Sequence, residues 1–143
     1  MFIGEYTYSI DEKKRLAVPS KFREELGKRA VITRGLDQCL FLYPMKEWQT
    51  LADKLSRLPL AQRDARGFGR LMLSGAMEVG FDNLGRMLIP DYLKEYAKLG
   101  KKVVVAGLYN RIEIWDGHAW EEYKQKTEQE VGDIAERLKE LGV

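Results

Sequence analysis

Asp11 and Arg15 stand four residues apart in DEKKRLAVP, and Asp82 and Arg86 stand four apart in DNLGRMLIP, 71 residues further on. A carboxylate and a guanidinium at that spacing can close an ion pair across a tight turn. An arginine held in plane in this way can present its fork to guanine O6 and N7 in the major groove of DNA. Alone, such a pair is an ordinary brace for a turn. Two features point further: the pair recurs at equivalent places, and the first copy adds Lys13 and Lys14 to Arg15, three consecutive cations at a loop tip. Candidate DNA-contacting residues are therefore Asp11, Lys13, Lys14, Arg15, Asp82, Asn83 and Arg86. The arginines are placed to read bases, the lysines to meet phosphates, and the aspartates to orient the arginines or accept from cytosine.

Other chemistries find little support. His118 is the only histidine, at the start of a terminal helical pattern, with no Cys or Ser at motif spacing that would make it a catalytic base. It is expected to be a surface or capping residue. GFGRLM does not complete GxGxxG, and GxxxxGK[ST] does not occur. Each acid of the pair Asp11 and Asp82 carries its own arginine, which argues against a two-carboxylate or metal site. Cys39 is the single cysteine and sits in the apolar run QCLFLY, which excludes an intrachain disulfide framework and predicts a small core residue. No enzyme activity, metal or other cofactor is expected.

The elements that must position these residues repeat. At a shift of 71, Asp11, Arg15, Pro19 and Glu24 meet Asp82, Arg86, Pro90 and Glu95, and Tyr6, Tyr8, Ile10, Leu16 and Val18 meet Met77, Val79, Phe81, Met87 and Ile89. At a shift of 72, Gly35, Leu36 and Trp48 meet Gly107, Leu108 and Trp120. Each copy reads as strand, tight turn, strand, short helix and strand pair, a mainly β chain with helices of the α+β class. Gly85 supplies a positive φ for a type I turn plus bulge. Lys14 stands in its place in the first copy, which makes that turn either slightly strained or differently shaped.

Pro19 and Pro90 start the short helices, with Ser20 and Asp91 as caps, and Phe22 with Leu26, or Leu93 with Ala97, as the buried sides. Gly35 and Gly107 are read as turns. A two-stranded hairpin is marginal in water, so the copies are expected to pair about a pseudo-twofold axis. Between them Met45 to Leu58 has helical spacing, and Phe68, Leu71 and Met72 suggest a second helix. Trp120, Tyr123, Thr127, Val131, Ile134, Leu138 and Leu141 predict a long terminal amphipathic helix, with Gly132 as the one place where it could break.

The chain has 143 residues, 45% hydrophobic and 32% charged, with no apolar run long enough to span a bilayer. MFIGEYTYSI lacks the pattern of a secretory signal, so a cytoplasmic location is expected. Net charge is only +2, but residues 1–116 carry 20 Lys and Arg against 15 Asp and Glu, while residues 117–143 carry 4 against 7. The body is mildly basic and the tail acidic.

MFIGEY, the two DxxxR turns, VPSKFREEL, LFLYPMKEW, RLMLSGA and IEIWDGHAWEEY, in that order, together resemble the MraZ family, bacterial regulators of the division and cell-wall gene cluster. The resemblance spans nearly the whole chain. It implies a double-split β-barrel of the AbrB or swapped-hairpin type, made of two pseudo-twofold-related ββαβ repeats at residues 5–47 and 76–119. A helical connector at 48–75 and a C-terminal helix at 120–143 complete the division. It also implies a ring-shaped homo-oligomer on double-stranded promoter DNA with tandem direct repeats, usually repressing, at the nucleoid, with no membrane and no small-molecule substrate as partner. Asp11 with Arg15 and Asp82 with Arg86 become its DNA-reading motifs, while Lys14 departs from the glycine frequent before the first arginine. The competing reading is a protein-interaction module of the antitoxin kind on the same fold.

Overall fold

The computed structural model describes residues 1–143, with eight strands and five α-helices. The strands are β1 (Phe2–Ser9), β2 (Arg15–Ala17), β3 (Arg29–Arg34), β4 (Leu40–Pro44), β5 (Met77–Gly80), β6 (Arg86–Leu88), β7 (Lys102–Tyr109) and β8 (Ile112–Asp116). The helices are α1 (Ser20–Leu26), α2 (Met45–Ser56), α3 (Arg63–Ser74), α4 (Asp91–Tyr96) and α5 (Gly117–Arg137). All pairings are antiparallel, in an α+β arrangement.

The strands on either side of each DxxxR turn do not form a ladder with each other, contrary to the hairpin expected from their alternation. A six-stranded sheet runs β1-β7-β8-β4-β3-β5, and β2 with β6 forms a separate ribbon. Thus β1 leaves its own half to pair with β7, and β5 pairs reciprocally with β3. The physical reason is burial: a lone hairpin has one face to cover and nothing to cover it with, whereas exchange gives each strand a neighbour and a core.

The registers reveal the axis. In the ribbon Leu16 opposes Met87, flanked by Arg15 with Leu88 and Ala17 with Arg86. In the sheet Phe41 opposes Glu113, flanked by Leu40 with Ile114 and Leu42 with Ile112. A shift of 71 maps the ribbon onto itself and a shift of 72 maps the β4–β8 pair onto itself. One pseudo-twofold axis therefore passes through the Leu16–Met87 and Phe41–Glu113 pairs. Two further bonds obey it: Val18 N donates to Gly85 O at 3.3 Å, and Ile89 N to Lys14 O at 2.9 Å.

Burial follows this frame. Leu40, Leu42, Val103, Val105, Ile112 and Ile114 face a core shared with Leu16, Met87, Phe22 and Leu93, beneath the ribbon, α1 and α4. Cys39, Phe41, Tyr43, Val104, Ala106 and Trp115 face the opposite way, under Leu55 of α2, Met72 of α3 and Trp120 of α5. Central strands covered on both faces are read as continuous apolar runs, which explains CLFLY and VVVA. Cys39 is fully buried, as its setting in the sequence suggests, and burial pushes its thiol far above the usual range.

Several local expectations are corrected. Ser20 and Asp91 are first helical residues and make no capping bond; Pro19 and Pro90 occupy the cap positions, with φ −52° and −59° and extended ψ. Proline fits there because its φ is preset and the cap needs no N–H. Gly132 does not interrupt α5, which runs unbroken to Arg137. Trp120 and Tyr123 pack on Trp115, whereas Val131 and Leu141 remain exposed. No helix is long and apolar enough to cross a membrane.

Gly107 is not at a turn but inside β7, opposite Gly4 of β1. A Cβ there would fall 2.5 Å from Ile3 N, backbone that cannot yield without moving β1. Gly107→Ala is expected to cost about 1–3 kcal/mol, read as a lower urea midpoint; an unchanged midpoint would show that β1 is not held this closely.

Candidate nucleic-acid interface

The first turn is built by its aspartate. Asp11 Oδ1 accepts from the backbone N–H of Lys13 and of Arg15, both at 2.9 Å, and Oδ2 accepts from Arg15 Nε at 2.7 Å. Backbone bonds from Lys14 N to Asp11 O and from Asp11 N to Arg15 O, both 3.0 Å, close the loop. The second turn repeats this atom for atom: Asp82 Oδ1 accepts from Leu84 N at 3.0 Å and Arg86 N at 2.9 Å, and Oδ2 from Arg86 Nε at 2.9 Å. A short side chain that bonds backbone two and four residues on is what favours aspartate at such positions.

These bonds favour the ionised carboxylates. The Arg15 backbone N–H, followed by its side chain, holds Asp11 below the usual aspartate range, and Arg86 does the same for Asp82. Because only Nε is engaged by each aspartate, the outer edge of each guanidinium stays available for a bidentate contact. Both arginines are half-buried. Stem burial and the Nε bond together fix their direction, lowering the entropy lost when a ligand is met.

The axis brings the two turns together. Arg15, Lys13 and Lys14 line one cleft with Asp82 and Arg86. Arg86 Nη1 lies 3.8 Å from Asp11 Oδ2, an ion pair between the halves that is too long for a hydrogen bond. Lys13 and Asn83 are exposed at the loop tips. Lys14 has φ 62°, matching Gly85 at 74°, so the first turn has the same shape and carries the strain of a left-handed lysine. Its Nζ is held by Asp91 at 2.5 Å. Asp91, whose sequence setting suggests only a helix cap, and Arg23, whose guanidinium lies against Gly85, carry no local sign of a place at the turns, because each reaches the turn of the other half. His118 lies away from the cleft, exposed, with Nε2 3.0 Å from Glu122. No group of His, Cys, Asp and Glu is arranged to hold a metal ion.

A family model described as "MraZ protein, putative antitoxin-like" matches the chain twice, over residues 1–71 and 72–141. The chain belongs to the MraZ family. It is 53% identical to the protein named transcriptional regulator MraZ of Alkaliphilus metalliredigens, and 50% and 49% identical to those of Clostridium tetani and Halothermothrix orenii, in each case over 100% of both chains. The boundary between the two MraZ matches falls near the end of α3, and each match carries one DxxxR turn.

Two measurements test the turn geometry. Aspartate pKa values depressed on folding add stability that is present above the unfolded value and lost as pH falls through the folded one. The turns should therefore stay ordered down to about pH 4 and loosen below it. Carboxyl carbon shifts of Asp11 and Asp82 should titrate below those of exposed aspartates; ordinary midpoints would refute the bonding described. Lys14→Gly should raise stability by about 0.5–1 kcal/mol by relieving the left-handed strain, since the exposed Asp91 pair it removes is worth little. Calorimetry should show an upward shift of roughly 3 °C.

Proposed function

We propose that the chain is a sequence-specific DNA-binding transcriptional regulator, acting chiefly as a repressor of the division and cell-wall gene cluster. The observation that carries this reading is the placement of two identical Asp-braced arginines, one from each half, on a single cleft. Arg15 and Arg86 read base edges, Lys13 and Lys14 meet phosphates, Asp11 and Asp82 orient the arginines or accept from cytosine, and Asn83 sits at the second tip. The relatives' name, transcriptional regulator MraZ, supports the same assignment.

The fold behind this reading is the double-split β-barrel of the swapped-hairpin type, supported by the reciprocal exchange of β1 and β5 and by the ribbon that crosses between halves. A net charge of +2 gives one copy a weak hold on DNA. A ring-shaped homo-oligomer multiplies the contacts, and each added phosphate contact steepens the salt dependence by about 0.9 in log–log slope. Neighbouring copies reading one face of a duplex need operator repeats spaced about 10 base pairs apart, and a closed ring makes the duplex bend. Such a protein works at the nucleoid, in the cytoplasm. An antitoxin-like module needs a free acidic arm; residues 117–137 are instead one helix, anchored at its start by Trp120 and Tyr123 on Trp115.

The double variant Arg15→Ala/Arg86→Ala should lose retention of the chain's own promoter DNA by about a hundredfold or more, from two bidentate contacts worth about 1–3 kcal/mol each, with its oligomer and melting curve retained. Gel retardation equal to wild type would refute the assignment of the site.

A further inference from the structure

Arg23 is unlike every other cation of the chain. It belongs to α1, and its Nε is the one buried side-chain nitrogen or oxygen without a hydrogen-bond partner. Buried polar atoms are nearly always paired, so the exception calls for a physical reason. Gly85 supplies it. A Cβ at Gly85 would lie 2.0 Å from Arg23 Nε, 2.1 Å from Cζ and 2.6 Å from Nη2. The guanidinium plane rests on the backbone of the second turn, in the space a side chain at position 85 would fill. Glycine is thus required there twice over, by φ of 74° and by the arginine above it.

The pseudo-twofold axis sets Arg23 beside its counterpart Lys94 and shows how the two turns differ. The shift of 71 carries Ser20, Arg23 and Lys14 onto Asp91, Lys94 and Gly85. At the first turn the cation is Lys14, supplied by the loop itself and neutralised by Asp91 at 2.5 Å. At the second turn Leu84 and Gly85 stand where the first has Lys13 and Lys14, so the loop brings no lysine. The cation comes instead from α1 of the other half, and the position equivalent to Asp91 is Ser20, which offers no carboxylate. Arg23 has no ion-pair partner anywhere in the chain. Its terminal nitrogens make no hydrogen bond within the chain, and its inner edge is held by packing over Gly85 alone. A guanidinium keeps its charge at any working pH, and one held half in the protein without a counter-ion gains from an external anion.

We infer that Arg23 is the phosphate-contacting cation of the second turn, seated by Gly85 and aimed at the DNA backbone beside Arg86. The inference rests on the DNA-binding reading above. It makes the two turns chemically unequal: the first has Lys13 and Lys14 in its own loop, with Lys94 of α4 beside Lys14, whereas the second loop has no lysine and depends on Arg23 of α1 alone.

Fluorescence anisotropy with the chain's own promoter duplex and a scrambled duplex, from about 50 to 300 mM KCl, tests it. Arg23→Gln should weaken binding to both duplexes by the same factor, about tenfold at mid-range salt, and reduce the log–log salt slope by about 0.9 for each bound copy. Arg23→Lys, which keeps the charge, should restore the slope. A folded Arg23→Gln protein with the wild-type slope overturns the inference and leaves the DNA-binding reading standing. Failure of both variants to fold overturns it too, by making Arg23 a packing residue. A wild-type protein that binds neither duplex refutes the DNA-binding reading itself.

Discussion

The β2–β6 ribbon is the constraint on which the rest depends. Its three paired positions are centred on Leu16 and Met87, both essentially inaccessible to solvent. Side chains alternate along a strand, so a slip of one residue would turn these two outward and expose Arg15 and Arg86 differently on the two sides. Burial of the central pair therefore sets the register, and the register sets the distance between the two turns. A short ribbon stabilised mainly by what lies beneath it positions the two charged loops, and the Arg86–Asp11 ion pair joins them across the axis.

From that constraint the electrostatics follow. Each aspartate spends both oxygens on its own turn, which makes the loop rigid and the arginine stem directional. Rigid presentation matters more than total charge in a chain whose net charge is only +2. Arg86 also approaches Asp11 across the axis at 3.8 Å, so each half steadies the other. The halves are nonetheless unequal. Lys14 adopts the left-handed backbone that Gly85 adopts freely, and the vacancy above Gly85 is filled by Arg23. Near-symmetry with local departures would suit the proposed contact with a duplex, whose two strands are related by a twofold but whose bases are not.

Much of this was legible in the residues because the signals are local. Tyr6 and Tyr8 alternating with Thr7 and Ser9, the Asp-to-Arg spacing, and Phe22 with Leu26 one turn apart each point to an element that is present. What was not legible was non-local. Nothing in FIGEYTYS states that its partner is KVVVAGLY of the other half and not the strand that follows it, since strand pairing is chosen by the shared core. In its sequence setting Gly107 suggests a turn, where glycine is common; its role is to let β1 approach. Ser20 and Asp91 have capping chemistry, but proline already occupies the cap. Arg23 carried no signal at all in SKFREEL, its meaning coming from a glycine on the other turn.

The central claim is that the two turns act as one surface on one duplex. It is tested most directly by following the arginine Nε–Hε resonances in a nuclear magnetic resonance titration with promoter DNA. The account predicts that the signals of Arg15 and Arg86 shift together and saturate at the same stoichiometry, with α3 arginines such as Arg63 and Arg70 unmoved. Shifts confined to α3, or to only one of the two turns, would contradict it.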